Sequence, residues 1–246
     1  MKKLFLVLQI RPEDIESDSE FKAIVKFSGL TADNFVRYRI ETTGLPAGLN
    51  FRDYAGVIVG GGPSNISTPN EDKYPGQKIF EPQLLSLVKE LVENDYPYLG
   101  CCYGLGLLAY QQGGIVNNTF SEEVGAVQIS LDKELVVDDP IFGNLEQNFY
   151  AYVGHKEACF SVPASVKIIG TSENCPIQAI KVKNNLYATQ FHPELDHDFL
   201  AHRINVYKNH GYFKPEESDE LIEKAKQFHV SEPMKILKNF VGYYSK

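Results

Sequence analysis

The 246-residue sequence is 43% hydrophobic and carries a formal net charge of -8, so it can bury a sizeable core while remaining acidic overall. Its acidic and basic residues are interleaved, which argues against a basic face for nucleic acid. No apolar run approaches the roughly 20 residues that a membrane-spanning helix requires, so a membrane partner is not expected either.

The first residues, MKKLFLVLQIRPED, mimic a secretory signal because two lysines precede an apolar run. Gln9 interrupts that run and no small-residue cleavage site follows, so we interpret the segment as a first buried strand. The cysteines lack the spacing of zinc ligands or of a disulfide framework. We therefore expect a cytoplasmic protein without a metal or another cofactor. The four cysteines are Cys101, Cys102, Cys159 and Cys175.

Strand-like and helix-like patterns alternate through the first half of the chain. KLFLVLQI is followed by a helical pattern in SEFKAIVKFSG, and VRYRIE and YAGVIVGGG are again strand-like. EPQLLSLVKELVEND predicts a helix with Pro82 near its start. PYLG is the next strand, and LGLLAYQQGG is a helix that Gly113 and Gly114 end. This alternation predicts a parallel sheet covered by helices.

From about Glu123 the sequence becomes strand-like, and the pair Asn184 and Asn185 between two β-like runs predicts a hairpin. The last fifty residues are helical again. We therefore predict one α/β domain over residues 1–246. It has an open, mostly parallel twisted sheet with helices on both faces, an antiparallel extension, and extra C-terminal helices over residues 195–246.

The stretch PYLGCCYGLG, residues 97–106, places two cysteines between glycines. In a nucleophile elbow, glycines lie two residues before and two residues after the reactive side chain. Around Cys102 these positions are Gly100 and Gly104, whereas around Cys101 neither is glycine. The pattern predicts Cys102 as the nucleophile, at a helix N-terminus whose dipole favours the thiolate. Cys101 is then a small buried residue, and an ordinary tight turn is the alternative for the whole pattern.

A base and its orienting group follow in YATQFHPELD. Pro193 keeps the chain extended after His192, so that Glu194 projects to the same side and can bond the far imidazole nitrogen. Cys102, His192 and Glu194 would then form a catalytic triad. His155 in YVGHKEA is the alternative base. Pro193 also prevents the helical spacing of one-face metal ligands in HPELDH, so no metal is predicted there.

A glycine run leaves the predicted strand in VIVGGGPSN. Glycine permits close backbone approach, and the N–H of Gly62 can aim at an oxyanion, as can the N–H of Tyr103 after the nucleophile. Neither a Walker lysine nor a G-x-G-x-x-G sequence that opens a helix is present, so phosphate binding is not expected. The alternative for the glycine run is a simple turn.

These three motifs, in this order, resemble the class I glutamine amidotransferases of the triad type, related to the amidotransferase domain of GMP synthase. GCCYG is similar to the family's elbow, HPE to its histidine box and GGGP to its oxyanion segment. The resemblance covers about residues 1–195. It implies hydrolysis of a γ-glutamyl amide, with Cys102 attacking, His192 transferring the proton and Glu194 orienting His192. The N–H groups of Gly62 and Tyr103 would hold the oxyanion.

Two positions of the substrate pocket depart from the family pattern. Gly106 stands where the family usually carries a glutamine that helps hold the substrate. The segment Gly154-His155-Lys156 is similar to a serine-histidine-glycine box of the family, with both flanking residues changed. The substrate implied by the resemblance is therefore either free glutamine or a γ-glutamyl peptide, and Gly106, Gly154 and His155 are the candidate substrate-binding residues.

No P-loop-like pyrophosphatase segment is present in the sequence. An ammonia-accepting synthase subunit is therefore the expected macromolecular partner if the ammonia is used, and a free-standing γ-glutamyl hydrolase is the alternative. A catalytically silent regulatory domain on the same fold is a third hypothesis, because fold does not determine function. The intact Cys102, His192 and Glu194 argue against silence.

Overall fold

The computed structural model describes residues 3–245. The strands are β1 (Phe5–Gln9), β2 (Phe35–Arg39), β3 (Gly56–Val59), β4 (Tyr98–Cys101), β5 (Ile115–Asn117), β6 (Glu122–Leu131), β7 (Asn148–His155), β8 (Ala158–Ser161), β9 (Val166–Thr171), β10 (Ala179–Val182) and β11 (Leu186–Thr189). The helices are α1 (Asp14–Ser28), α2 (Pro75–Glu93), α3 (Tyr103–Gln111), α4 (Lys133–Val136), α5 (His197–Tyr207), α6 (Ser218–Ala225) and α7 (Glu232–Tyr244).

Nine strands form one sheet in the order β2-β1-β3-β4-β11-β10-β9-β6-β7. In this sheet order, neighbouring strands pair in parallel from β2 through β1, β3 and β4 to β11. From β11 through β10, β9 and β6 to β7 they pair antiparallel. The remaining strands, β5 and β8, form a separate antiparallel pair. The prediction of a mixed α/β sheet with a parallel core and an antiparallel extension is confirmed.

Both faces of the parallel core are buried. Alternate residues of β1 enter different hydrophobic clusters, Leu6 with Leu84 of α2, and Val7 with Phe240 of α7. Successive side chains of a strand point to opposite faces, so a strand covered on both sides is apolar at most positions. This explains the continuous apolar runs of the first half of the sequence.

Helix α2 begins earlier than its sequence pattern indicates. It starts at Pro75, and Pro82 lies inside it rather than near its start. Proline fits the first helical position because its fixed φ is already helical and its missing N–H needs no partner there. Pro82 removes one intrahelical hydrogen bond, but the helix continues because Phe80, Leu84 and neighbouring apolar residues are buried in the core.

The hairpin predicted around Asn184 and Asn185 joins β10 to β11, with a positive φ of 51° at Lys183. The C-terminal helices pack in two places. Leu200 and Ile204 of α5 form a third hydrophobic cluster with Tyr152 of β7, whereas α7 packs beside α1. Within residues 3–245, no helix is long and apolar enough to cross a lipid bilayer.

Candidate active site

Four strands of the parallel core end at one edge of the sheet, where α/β sheets commonly bind their ligands. β1 is followed by Arg11, β3 by the glycines at 60–62, β4 by Cys102 and β11 by His192. Strands distant in sequence thereby bring together residues that no local pattern connects. The candidate active site lies at this edge.

Cys102 lies at a strained turn between β4 and α3. Its φ of 53° and ψ of -97° define a backbone conformation that a non-glycine residue rarely adopts. Such a conformation costs on the order of 1–3 kcal/mol. The backbone N–H of Cys102 donates to the carbonyl of Thr189 at 2.7 Å, which ties the turn to β11. Cys101 is 2% exposed among the core residues on the far side of the sheet, as predicted.

The glycines flanking this turn are required by close packing. A methyl group at Gly100 would lie 2.6 Å from the carbonyl oxygen of Gly104, and one at Gly104 would lie 2.9 Å from the carbonyl oxygen of Val59. No backbone oxygen accepts a carbon so close. The G-x-C-x-G pattern therefore reflects the approach of α3 to β3 and β4 at Cys102.

His192 and Glu194 are joined as the sequence predicts. The imidazole Nδ1 lies 2.7 Å from Oε1 of Glu194, and both side chains are buried. Because a carboxylate oxygen accepts, Nδ1 carries the hydrogen and Nε2 is left as the basic nitrogen. This is the tautomer that a general base beside a thiol requires.

Gly61 packs against both His192 and Cys102. A methyl group at Gly61 would lie 2.9 Å from Cε1 of His192 and 3.4 Å from Cβ of Cys102. The imidazole and the thiol therefore flank one glycine, and both line the same cavity. The side chain of Gln190 adds a further contact, because its Nε2 donates to the sulfur of Cys102 at 3.7 Å.

The protonation of the pair differs from the prediction of a dipole-stabilised thiolate. Burial raises the pKa of Cys102 to about 12, although Arg11 acts in the opposite direction. Burial also lowers the pKa of His192, in spite of the adjacent carboxylate of Glu194. Desolvation penalises both charged forms and outweighs the dipole of the short helix α3. Both shifts favour a neutral thiol and a neutral imidazole.

Arg203 of α5 is a site residue that nothing in the sequence pattern indicates. Its NH2 donates to Oε1 of Glu194 at 3.2 Å, and its Nε donates to Oε1 of Glu16 at 2.6 Å. Its NH1 lies 3.1 Å from Nδ1 of His192, an electrostatic contact, since that nitrogen already carries a hydrogen. The cation holds the carboxylate of Glu194 and contributes to the lowered pKa of His192.

Arg11 is the second buried cation at the site. Its Nε donates to Oε1 of Glu20 at 2.7 Å and its NH1 donates to the hydroxyl of Tyr207 at 3.2 Å. Its place directly after a buried strand is a signal that could have identified it, because ligands bind where parallel strands end. Buried ion pairs of Arg203 with Glu16 and Glu194 join α1 and α5 to the triad, and Arg11 is held to α1 by Glu20.

Cys102 lies between two cavities. The first, called the glutamyl cavity after the substrate that the resemblance implies, brings together every substrate and oxyanion residue that the sequence predicts. It is lined by Ser64, Asn65, Val116, Lys156, Glu157, Ala158, Gln190 and Tyr212 together with Gly62, Cys102, Tyr103, Gly106, Gly154 and His155. Gly62 and Tyr103 therefore stay the predicted oxyanion donors.

The second cavity, the α5 cavity, lies on the histidine side of Cys102. Its polar lining residues are Arg11, Cys102, His192, Arg203, Tyr207 and Tyr212, its glycines are Gly62 and Gly154, and its apolar lining residues are Val124, Val153, Leu195, Leu200, Ile204 and Phe213.

Glu157 is a further residue that the sequence did not single out. Its carboxylate accepts the backbone N–H groups of Ile66 at 2.6 Å and Ser67 at 2.9 Å, and burial raises its pKa. A methyl group at Gly106 would lie 3.8 Å from Oε1 of Glu157. The carboxylate of Glu157 thus borders the space that the family glutamine would enter.

His155 does not have a nitrogen available to serve as the alternative base. Its Nδ1 bonds the carbonyl oxygen of Glu157 at 3.0 Å and its Nε2 contacts Oε2 of Glu122 at 2.9 Å. With Cys175, these residues make a second Cys-His-Glu group whose ligand atoms lie within 4.8 Å of one another. Cys175 is fully buried, and burial raises its pKa to about 12. Cys175 lies outside both cavities, so its thiol is not placed to attack a substrate bound beside His155.

The sequence matches the family Glutamine amidotransferase class-I over residues 30–210, and the chain belongs to that family. It is similar to two proteins named GMP synthase [glutamine-hydrolyzing]. The one from Caldanaerobacter subterraneus subsp. tengcongensis is 31% identical over 59% of this chain and 25% of the relative. The one from Thermosipho melanesiensis is 31% identical over 76% of this chain and 32% of the relative. The chain thus spans about a quarter to a third of these relatives.

Solved structures share the fold. A glutamine amidotransferase from Thermotoga maritima superposes with a TM-score of 0.76 at 19% identity, covering 100% of both chains. A glutamine amido transferase from Methylobacillus flagellatus gives a TM-score of 0.69 at 20% identity, covering 98% of this chain and 95% of its own. At this identity the likeness extends to the fold, including the C-terminal helices that lie beyond the family match.

Proposed function

We propose that the protein hydrolyses a γ-glutamyl amide through Cys102, His192 and Glu194, releasing glutamate and, from glutamine, ammonia. The observation that carries this proposal is the pairing of a strained Cys102 turn with a buried imidazole whose far nitrogen bonds Glu194 at 2.7 Å. A silent regulatory domain would have no reason to maintain the strain. The proposal treats residues 1–246 as one working unit, because α5 supplies Arg203 to the site.

The protonation states define the first chemical step. The Cys102 thiol is neutral at rest because its pKa is raised to about 12, so sulfur becomes nucleophilic only as His192 removes its proton. The sulfur attacks the γ-carbonyl carbon, and the oxyanion is held by the N–H groups of Gly62 and Tyr103. His192 then protonates the leaving nitrogen. Water, deprotonated by the same imidazole, converts the thioester to glutamate.

The glutamyl cavity offers charges that complement the substrate. The carboxylate of Glu157 is suited to the α-ammonium group, and the ammonium of Lys156 is suited to the α-carboxylate. We infer that this cavity holds the glutamyl moiety while its γ-carbonyl lies at Cys102. The partner implied by the resemblance to GMP synthase, a separate synthase subunit that accepts ammonia, is part of the same proposal.

A panel of glutamine, γ-glutamylcysteine and glutathione, assayed separately for glutamate and for ammonia, tests this function. We expect glutamate from at least one of them, and ammonia in equal amount only when glutamine is the substrate. Glutamate release that disappears in a His192→Ala variant assigns the activity to this site. Absence of glutamate from all three compounds, with and without an added synthase subunit, would contradict the proposal.

Replacing Gly106 with glutamine should lower KM for free glutamine. A methyl group at this position meets Glu157 and Val116 at 3.8 Å, which is ordinary contact, so the first carbon of a side chain fits there. One added hydrogen bond to the substrate contributes about 0.5–3 kcal/mol, equivalent to roughly two to a hundredfold in KM. Steady-state kinetics of Gly106→Gln, with Gly106→Ala as the matched control, measures this effect. A sub-millimolar KM with fast turnover in the unmodified chain would refute the argument from Gly106.

Replacing Arg203 with glutamine should move the acidic limb of the pH profile to higher pH. His192 acts as a base only when neutral, so kcat/KM rises as pH increases through its pKa. Arg203 helps to lower that pKa, and removing the cation therefore raises it. Arg203→Lys retains the charge and should keep the limb near its original position. Thermal unfolding checks that Arg203→Gln is folded. If the acidic limb of the folded variant does not move, Arg203 does not set the pKa of His192.

A further inference from the structure

The α5 cavity lies on the side of Cys102 from which the leaving group must depart. His192 lines the α5 cavity and is absent from the lining of the glutamyl cavity. The general acid must reach the leaving nitrogen to protonate it. With the glutamyl moiety in its own cavity, the leaving amine therefore enters the α5 cavity beside His192.

Six apolar side chains contribute to the wall of the α5 cavity, which is more apolar surface than ammonia would contact. Its apolar lining consists of Val124, Val153, Leu195, Leu200, Ile204 and Phe213. Apolar surface is favourably removed from water by an apolar group of the ligand. The lining matches an amine that carries a hydrocarbon substituent.

The charged side chains that line the α5 cavity disfavour a leaving amine that carries an additional ammonium group. Arg11 and Arg203 line it, and each is held by buried carboxylates, Arg11 by Glu20 and Arg203 by Glu16 and Glu194. In the part of the chain that the structure describes, these carboxylates lie behind the guanidinium groups and do not line the cavity, whose charged lining residues are Arg11 and Arg203. A diamine would place its ammonium among two fixed cations at a cost in desolvation.

The segment after α5 closes the same cavity. Tyr212 lines both cavities, and the ammonium of Lys156 lies 4.3 Å from the centre of its ring. Phe213 packs with the cluster formed by Leu200 and Ile204 of α5. The C-terminal extension therefore supplies the wall against which a leaving group would rest.

We propose that the α5 cavity is a leaving-group subsite for an apolar amine, so that γ-glutamyl amides of uncharged hydrocarbon amines are better substrates than those of polar or charged amines. This rests on the proposed γ-glutamyl hydrolysis and specifies its substrate class. The C–N bond breaks as the thioester C–S bond is kept, and the proton from the thiol passes through His192 to the departing nitrogen. Water then adds to the thioester carbon: its hydroxyl stays on glutamate, the C–S bond breaks, and its other proton passes through His192 to the sulfur of Cys102, without any redox change.

A series of secondary amides tests the subsite on the full chain. The compounds are the γ-glutamyl methylamide, ethylamide, propylamide and n-butylamide, with the 3-aminopropylamide as a charged match for n-butylamide, and glutamine for reference. We expect kcat/KM for glutamate release to rise roughly fourfold per methylene, equivalent to about 0.8 kcal/mol. The 3-aminopropylamide should fall below the methylamide. A flat or falling series, or equal rates for the matched pair, would overturn the subsite.

A variant that narrows the cavity gives a second measurement. Val124→Phe should reduce the n-butylamide to methylamide ratio of kcat/KM at least tenfold. Val137→Phe makes the same change at a residue 65% exposed and outside the cavity, and should keep the ratio. An unchanged ratio in folded Val124→Phe contradicts the subsite. If Val124→Phe does not fold, the change in kcat/KM per methylene along the amide series, measured on the unmodified protein, decides alone.

The outcomes separate the two proposals. Hydrolysis of glutamine without preference for apolar amides overturns the subsite and leaves γ-glutamyl hydrolysis intact. Failure to release glutamate from glutamine and from every amide, together with failure of a γ-glutamyl electrophile to label Cys102, overturns both.

Discussion

Cys102→Ala is expected to abolish turnover of every γ-glutamyl substrate, whereas Cys101→Ala is expected to retain most of it. Only Cys102 has the positive φ of the elbow and faces the two cavities. Cys101 is buried on the opposite side of the sheet with a pKa raised by burial. Its replacement removes a small apolar side chain from the core and should lower stability modestly. Glutamate release and thermal unfolding of both variants measure the difference.

Covalent labelling provides an independent check on the same assignment. An electrophilic analogue of glutamine should modify Cys102, and peptide mapping should find the label there. Since His192 must remove the thiol proton before attack, labelling should be much slower in His192→Ala at neutral pH. A label on Cys101 instead, or loss of activity in Cys101→Ala without loss of folding, would remove the elbow assignment.

The sequence contained the local part of this site and little of its surroundings. Gly100, Gly104, His192 and Glu194 are each fixed by backbone relations within a few residues of a strand end, so spacing alone could indicate them. The parallel core of the sheet could also be predicted from the sequence, because strands buried on both faces are apolar at most positions. Both predictions depend on constraints that act within a short stretch of the chain.

The contacts to Arg11 and Arg203 could not be obtained in this way. Arg203 reaches Glu16 across 187 residues of sequence, and only the packing of α5 against α1 places it beside the triad. An arginine within an amphipathic helix has no distinctive spacing, and such residues are normally exposed. The predicted start of α2 differs from the observed start for a related reason. Proline is typical of the first turn of a helix, but here the helix begins at Pro75 and continues past Pro82 because its apolar residues are buried in the core.

The thiolate favoured by the helix dipole is opposed by a larger effect of burial. A helix N-terminus does favour an anion, typically by about 0.3–1 kcal/mol. Burial of Cys102 acts in the opposite direction and raises its pKa to about 12, an effect that depends on how completely the neighbouring elements exclude water. That degree of exclusion follows from tertiary packing, so a strand-turn-helix motif cannot indicate it.

His192→Ala is expected to reduce kcat/KM by about 10²–10⁴-fold, the usual contribution of a general acid and base, and Glu194→Gln is expected to cost less. The alanine removes the group that moves the proton. The new amide keeps a hydrogen-bond acceptor, and its orientation is determined by its neighbours. Arg203 NH2 donates toward Oε1 of Glu194, and His192 Nδ1 donates toward the same atom.

The amide nitrogen would meet two donors in that position, so the amide oxygen should occupy it and preserve the imidazole tautomer. This argument makes the Glu194→Gln result depend on Arg203. In the double variant Glu194→Gln with Arg203→Gln the amide is free to turn, and the combined loss should exceed the sum of the two single losses in free energy. Values of kcat/KM for the single and double variants on one substrate, compared with Lys26→Gln as an exposed control, measure the coupling. A larger loss for Glu194→Gln than for His192→Ala would mean that the assigned roles are wrong.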